Sequence, residues 1–201
     1  MNRHLGPARL LPLLLASVLP AAAGERVLRL DPAATTVAFV LDATAHEVHG
    51  SFAFDRGEIR FDPATGRASG EISVHATGAE TGSNKRDKTM HGKVLESETY
   101  PLFVFRATRI EGAVPDAGGA DVTLHGSLSI HGAEHPFALP AHVEVNGDRV
   151  EATSEFAVPY VEWDMHDPSF LFLRVAKEVQ VTVSARGSLL PAEAAPDGGA
   201  R

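Results

Sequence analysis

The feature that most constrains the fold is a succession of short segments in which apolar and polar residues alternate. Along such a segment every second side chain points to the same face of a β-strand. Turn-forming residues such as Asp31-Pro32 and Asn146-Gly147-Asp148 separate the segments. Short alternating strands at this spacing predict an all-β fold, an antiparallel barrel or sandwich of about eight strands.

Two turn predictions decide how these segments are divided. Arg56-Gly57 is interpreted as a turn between two strands, and residues 115–119, Pro-Asp-Ala-Gly-Gly, as a loop. The candidate strand segments are Val27–Leu30, Thr35–Leu41, His46–Phe54, Glu58–Phe61, Ala68–Ala76, Leu102–Ile110, Val122–Ile130, Phe137–Val145, Val150–Val158 and Val175–Ala185.

One stretch in the middle of the chain has helical character instead. Ser83 and Asn84 are good helix N-caps, and Met90, Val94 and Leu95 then follow at helical spacing. The pattern breaks before Pro101, because proline restricts the preceding residue to extended conformations. The sequence therefore predicts one helical insertion over about 83–97 that closes one end of the β structure.

The first 23 residues have the pattern of a signal peptide. Arg3 and Arg9 precede an apolar run from Leu10 to Leu19, and three alanines at 21–23 form a small-residue cleavage site. A membrane anchor is the weaker alternative, because the run is far shorter than the ~20 residues that span a bilayer. We expect a periplasmic or secreted protein without a stable membrane span, with a binding domain over 24–188 and a disordered tail over 189–201.

Composition narrows the classes of partner. The formal net charge is −8 and the chain has no run of lysine or arginine, so nucleic acid is not an expected partner. There is no cysteine, so no disulfide can hold the domain together. The apolar core alone must therefore supply its stability.

The ten histidines suggest metal binding, but their spacing argues against it. His46 and His49 are separated by three positions on a probable strand, which directs the two rings to opposite faces, and zinc-protease motifs need a helix. His131, Glu134 and His135 match an inverted zinc-protease string but lie in a predicted turn. With no nucleophile motif or phosphate-binding glycine loop either, the sequence predicts no catalytic residue, no metal site and no cofactor.

Four short motifs, in order along the chain, resemble the YceI-like family of bacterial secreted lipid-binding proteins. The resemblance covers most of the chain after the signal peptide. The motifs are Thr81 with Arg86-Asp87, Tyr100-Pro101 and Phe105; Gly126 to Gly132 followed by Pro136; Gly50-Ser51-Phe52 with Gly57, Ile59, Phe61 and Asp62-Pro63; and Glu178-Val179 in a last strand that ends at Gly187.

The resemblance implies a lipocalin-like antiparallel barrel whose apolar tunnel takes a polyisoprenoid chain or a similar long amphiphile. Aromatic residues then become candidates to line or gate the tunnel, although each could equally fill a core. Arg86 either forms an intramolecular clamp with Asp87 or grips an anionic head group at the barrel mouth. The predicted ligand-binding residues are Phe39, Phe52, Phe54, Phe105, Phe170, Phe172 and Arg86.

Taken together, we expect an exported, non-enzymatic protein whose partner is a hydrophobic small-molecule ligand, an isoprenoid lipid. Two other classes stay open: an exported metal-binding protein or enzyme that uses the histidines, and an interaction module with a filled barrel. The sequence also leaves open whether the protein is a monomer or a homodimer.

Overall fold

The computed structural model describes residues 24–44 and 46–192. The predicted signal peptide and most of the predicted tail lie outside the described residues. The strands are β1 (Arg26–Leu30), β2 (Thr36–Leu41), β3 (Val48–Phe61), β4 (Ala68–Glu80), β5 (Leu102–Glu111), β6 (Ala117–Ile130), β7 (Ala133–Asn146), β8 (Arg149–Val158) and β9 (Val179–Pro191).

These strands form one antiparallel sheet that closes on itself. Neighbours follow the order β1-β3-β2-β9-β8-β7-β6-β5-β4, and β3 also pairs with β4. Both β1 and β2 pair with β3 on one side and with β9 on the other. The two short strands therefore share one position, and the fold is an eight-stranded closed barrel with one extra strand. The prediction of an all-β barrel of about eight strands is confirmed.

A short turn explains why β1 and β2 are separate. A 3-10 helix, Pro32–Ala34, lies between them and is capped by Asp31, whose carboxylate accepts a hydrogen bond from the backbone N–H of Ala33 at 2.9 Å. The Thr35 hydroxyl donates to the carbonyl oxygen of Asp31 at 2.8 Å. Pro32 has no backbone N–H to donate to a neighbouring strand. The strand therefore ends before this residue, and the next strand begins at Thr36.

The helical insertion follows β4 and has two parts. Helix α1 (Asn84–Thr89) continues directly into a π-helical turn, Met90–Val94. Ser83 is the N-cap residue, as predicted, but its side chain makes no capping hydrogen bond. Among the described residues, no helix is long and apolar enough to cross a membrane.

The predicted turn at Arg56-Gly57 is wrong. Both residues lie inside the single 14-residue strand β3. The strand is bent by two irregularities in its pairing with β4, between Ser51 and Ala53 and between Phe54 and Arg56. Such bulges bend and twist a strand without ending it, so a turn-like sequence can lie within a continuous strand.

Several other strand boundaries differ from the prediction, most clearly those of β6 and β9. Residues 117–119, expected in a loop, are part of β6, where Ala117 pairs with Asn146 and Gly119 with Glu144. The last strand begins at Val179 rather than Val175, which makes only an isolated bridge to Ala43. It also continues to Pro191, where it pairs with Arg26. The pairing partners, which are remote in sequence, decide these limits.

The antiparallel register distinguishes two ends of the barrel. The helix end, as we call it, carries α1, the turn between β6 and β7, and the long segment 159–178 between β8 and β9. The far end carries the turns at 62–67, 112–116 and 147–148. Every connection that contains more than a short turn, apart from the break between β1 and β2, is therefore at the helix end.

The buried apolar side chains form two groups, one in each half of the barrel. The group in the helix half includes Phe39, Ala76, Phe103, Tyr160 and Met165. The group in the far half includes Ile59, Phe61, Phe105, Val145 and Leu189. Inward-facing residues of the strands supply most of both groups, as alternation requires.

Gly126 provides a test of the packing between β5 and β6. A Cβ atom at this position would lie 1.9 Å from the carbonyl oxygen of Arg106 and 3.1 Å from the ring of Phe105. Because the backbone atom cannot move without disturbing β5, Gly126→Ala should lower the free energy of unfolding by about 1–3 kcal/mol in urea denaturation.

Gly92→Ala is the matched control, because a Cβ atom there meets nothing within 4 Å. Its free energy of unfolding should stay the same or rise by less than about 1 kcal/mol. Equal stability of the two variants would contradict the close approach at Gly126.

Candidate ligand-binding cavity

The interior of the barrel contains a cavity of about 550 Å³. All nine strands contribute lining residues, and the cavity extends from Leu28 and Leu189 in the far half to Ala43 and Val175 at the helix end. Pockets for small molecules have volumes of about 300–1,000 Å³. The barrel therefore encloses enough space for one elongated ligand.

Small inward-facing residues explain why the interior is not filled. Ala141 in β7, Ala152 in β8 and Ala185 in β9 all line the cavity. A barrel of eight strands is just wide enough either to be filled by its own side chains or to hold one small ligand. Alanine on three neighbouring strands favours the second arrangement.

Most of the cavity wall is apolar, and most of the polar residues that line the cavity lie at one end. Ser154 and Tyr160 line the body, and both hydroxyls are already used: Ser154 donates to the carbonyl oxygen of Pro140, and Tyr160 donates to that of Ala176 at 2.8 Å. The other polar lining residues all lie at the helix end: His46, Thr81, Ser83, Lys85, Arg86 and Thr89.

The cavity reaches solvent at the helix end. Its exposed lining residues are His46, Lys85, Thr89 and Leu173, and all four are at this end. At the far end the lining residues are buried or half-buried and apolar, as Leu28 and Val114 illustrate. The site therefore has a closed apolar body and an open mouth with two basic side chains, those of Lys85 and Arg86.

Thr81 connects β4 to the first turn of α1. Its hydroxyl donates to the Asp87 carboxylate at 2.5 Å, and its backbone N–H donates to the same oxygen at 3.0 Å. Arg86 donates from Nε to the Thr81 hydroxyl at 2.7 Å and from its terminal nitrogen to the Thr81 carbonyl oxygen at 2.8 Å. Arg86 and Asp87 therefore both hold Thr81, which supports the clamp interpretation. Among the described residues, Arg86 forms no ion pair with a side chain.

His91 fixes the second half of the helical insertion. Its Nε2 atom lies 2.9 Å from the carbonyl oxygen of Ala79, and Nδ1 lies 2.9 Å from the Ser97 hydroxyl. A carbonyl oxygen can only accept, so in the neutral ring Nε2 donates to it and Nδ1 accepts from Ser97. His91 thereby fastens the insertion to the end of β4, at Ala79.

Tyr160 anchors the start of the segment 159–178. Burial raises the pKa of its hydroxyl to about 12, with a smaller contribution from the negative charge of Asp167. The group therefore stays protonated at neutral pH and continues to donate to Ala176 near the other end of the segment. This hydrogen bond holds the two ends of the segment together.

Four of the six predicted aromatic ligand contacts lie on the cavity wall. Phe39, Phe52, Phe54 and Phe105 all line it. The ring of Phe39 lies 5.1 Å from that of Phe52, and a Cβ atom on Gly50 would lie 2.2 Å from the tip of the Phe39 ring. The absence of a side chain at Gly50 thus leaves room for the ring of Phe39 on the adjacent strand β2.

Phe170 and Phe172 are placed differently from the other predicted residues. They are 71% and 92% exposed, and neither lines the cavity. They lie in the segment 159–178, where no strand periodicity indicates which way a side chain points. Arg86, the remaining predicted residue, lines the mouth.

Histidines do not gather into a metal site in the described part of the chain, where no group of three or more His, Asp or Glu side chains could hold an ion. His46 is exposed at the mouth, and the exposed His49 lies 3.4 Å from Glu47. His131 is in the turn between β6 and β7, and His135 stacks on Trp163 with ring centroids 4.0 Å apart.

A family model described as YceI-like domain matches residues 28–186. The chain belongs to the YceI-like domain family. A UPF0312 protein of Shewanella sp. (strain W3-18-1) is 25% identical over 130 residues, which are 63% of this chain and 66% of that protein. The match thus spans slightly less than two thirds of this relative's length.

Two solved structures share the fold of this YceI-like chain. One is the crystal structure of BcnA from Burkholderia cenocepacia, with 20% identity and a TM-score of 0.65, covering 78% of this chain and 98% of that one. The other is a polyisoprenoid binding domain from Saccharophagus degradans implicated in plant cell wall breakdown, with 13% identity and a TM-score of 0.63, covering 80% and 97%.

Sequence reasoning identified the motifs of this YceI-like domain but missed much of the cavity wall. The missed residues are aliphatic, such as Leu139, Ala152 and Val183. Their signal is the alternation itself, since every inward position of a barrel strand is a candidate. The predicted residues are aromatic apart from Arg86 and do not include the alanines that line the cavity.

Thr81→Val tests whether the clamp holds α1 in place. The variant keeps the shape of the side chain but cannot donate to Asp87 or accept from Arg86. Because hydrogen bonds to charged groups contribute about 1.5–3 kcal/mol, amide hydrogen exchange in Asn84–Thr89 should accelerate roughly tenfold or more. Thr77→Val, on the exposed face of β4, is the control and should leave exchange in α1 unchanged; equal acceleration in both variants would contradict the clamp.

Proposed function

We propose that the protein is an exported, non-enzymatic binding protein that holds a polyisoprenoid or a similar long amphiphilic lipid in the barrel interior. Transport, storage and sequestration of that lipid are all compatible with such a protein. The observation that carries the proposal is the division of the cavity into a closed apolar body and a polar mouth. The polyisoprenoid binding of the Saccharophagus degradans domain, which shares the fold, supports the choice of ligand class.

The apolar body suits a hydrocarbon tail. Its two hydroxyl groups, on Ser154 and Tyr160, are already bonded to backbone carbonyl groups, so neither demands a polar partner from the ligand. Each methylene that leaves water contributes about 0.8 kcal/mol, and a long tail adds many such contributions before the entropy cost of association is subtracted. Tight binding therefore needs no strong polar contact.

The mouth suits a polar or anionic head group. Lys85 and Arg86 bring two positive charges to the opening, and in the described part of the chain neither side chain forms an ion pair. Arg86 donates two hydrogen bonds to Thr81, whereas the Lys85 side chain has no hydrogen-bond partner among the described residues and is free to follow a head group. An amphiphile with its tail inside would present its head at this position.

A cavity-filling substitution tests where the tail binds. Ala152→Phe places a ring in the far half of the cavity. It should remove lipid from the purified protein in native mass spectrometry and reduce uptake of an added polyprenol at least roughly tenfold. Ala138→Phe is the matched control, because Ala138 is exposed on the outer face of β7.

No bound lipid in the unmodified protein, together with no uptake of one that is offered, would overturn the proposal. Full uptake by a folded Ala152→Phe variant would place the ligand outside the barrel. Circular dichroism of both variants identifies loss of binding that is caused by unfolding.

A charge substitution tests the role of the mouth. Lys85→Gln should weaken binding of a polyprenyl phosphate about two- to fivefold, the effect of one exposed ion pair, and leave binding of the uncharged polyprenol unchanged. Lys88→Gln is the control, because Lys88 is on the same helix but does not line the cavity. Equal losses in both variants, or equal losses for both ligands, would contradict a head-group contact at Lys85.

A further inference from the structure

Four consecutive large apolar side chains are exposed in the segment 159–178. Phe170, Leu171, Phe172 and Leu173 have exposed fractions of 71%, 70%, 92% and 44%. The backbone N–H groups of Phe170 and Leu173 donate to each other's carbonyl oxygens, at 3.0 and 2.9 Å, so the four residues form a closed turn. We call these four residues the apolar tip.

The base of the apolar tip is tied to the barrel. The backbone N–H of Arg174 donates to the Thr44 hydroxyl at 2.9 Å, and the N–H of Thr44 donates to the Arg174 carbonyl oxygen at 2.9 Å. The Ser169 hydroxyl accepts from the N–H of Val175 at 3.0 Å. The tip therefore extends from a fixed base, with the side chains of Phe170, Leu171 and Phe172 mostly exposed.

The apolar tip lies next to the mouth of the cavity. Leu173 lines the cavity, as do Pro168 and Val175 on either side of the tip. The exposed apolar surface of the tip is therefore continuous with the apolar wall of the interior. Whatever covers the tip also lies against the opening.

The shape of the apolar tip indicates what covers it. Consecutive residues of a tight turn point in different directions, so a single flat protein surface could cover only some of these side chains. Their combined exposed area is roughly 500 Å², whereas a stable protein–protein interface buries about 800 Å² on each partner. An apolar fluid, by contrast, can surround a narrow protrusion on all sides.

A basic side chain directly beside the tip is compatible with a membrane surface. Arg174 follows the tip directly and is exposed, and within the described residues it forms no ion pair. Long basic side chains can keep their charge among head groups while their stems lie along apolar surface. The whole chain has a formal charge of −8, so attraction to anionic lipid cannot be the main cause of binding.

We propose that the apolar tip inserts into the surface of a phospholipid bilayer and brings the mouth of the cavity against the membrane. This goes beyond the proposed binding function and rests on it only for the nature of the cargo. With the tip inserted, a hydrocarbon tail moves between bilayer and cavity without crossing water. Insertion of apolar side chains predicts binding that persists at high salt, unlike attraction between charges.

The test is flotation of the purified protein with vesicles of phosphatidylethanolamine and phosphatidylglycerol, in low and high salt. The double variant Leu171→Asn with Phe172→Ser should reduce the vesicle-bound fraction at least roughly tenfold. Asparagine suits position 171, where φ is 52°. Leu102→Ser is the control, because Leu102 is 40% exposed on β5 and outside the tip; it should float like the unmodified protein.

Three outcomes would overturn the proposal: no flotation of the unmodified protein, unchanged flotation of the double variant, or equal losses in the double variant and the control. Analytical ultracentrifugation tests whether a second copy of the chain covers the apolar tip instead. A dimer that becomes monomeric in the double variant, with no vesicle binding by the unmodified protein, would assign the tip to a protein interface instead.

A second readout locates the tip directly. When bound to vesicles that contain brominated phospholipids, the Phe172→Trp variant should show more quenching of tryptophan fluorescence than the unmodified protein, which has only Trp163. No gain in quenching on vesicle binding would show that the protein binds through another surface.

The two proposals can fail separately. Leu171 and Phe172 do not line the cavity, so the double variant should bind a polyprenol offered in solution as the unmodified protein does and lose only uptake from vesicles. Vesicle binding without any lipid in the cavity would leave docking standing and remove the proposed function. Lipid binding without vesicle binding would leave the proposed function standing and remove docking to the membrane.

Discussion

Closure of the hydrogen-bonded sheet is the constraint on which the rest of the structure depends. β3 and β9 each pair with both β1 and β2, and β3 also pairs with β4, so the sheet closes on itself. Once closed, a barrel has a width that strand number and tilt determine. The inward side chains then decide only whether that width is filled. Here alanines on β7, β8 and β9 leave an interior of about 550 Å³.

The two ends of the closed barrel differ in chemistry, and this difference gives the cavity a direction. At the far end Arg26 reaches across to the carbonyl oxygen of Pro115 at 3.3 Å and to the Asp116 carboxylate at 3.5 Å, which holds the 112–116 turn against β1. At the helix end Thr81, Arg86 and Asp87 fasten α1 to the end of β4, at the mouth of the cavity. In the proposed function, the tail of an amphiphile lies toward the far end and its head group lies at the helix end.

Much of the fold could be predicted from the sequence because strand alternation and turn chemistry are local signals. Alternation and turns alone left barrel and sandwich both open, since the choice depends on whether β3 pairs with β4 while β9 pairs with β1 and β2. The resemblance to the YceI-like family supplied the prediction of a barrel. Phe39 and Phe52 were found because alternation places them inward, whereas the positions of Phe170 and Phe172 carry no periodic signal. For Arg86 and Asp87, adjacency indicated a clamp, but that both bind Thr81 is a contact that only the folded backbone reveals.

The cavity and the apolar tip are both departures from what stability alone favours. Larger side chains at Ala152 or Ala185 could remove more apolar surface from water, and burial of Phe172 would do the same. Such departures from local rules are expected where a protein interacts with something else. The two occur side by side, since Leu173 belongs to both the cavity wall and the exposed tip. Apolar surface that is continuous from the interior to the outside offers a hydrocarbon chain a path along which it need not meet water.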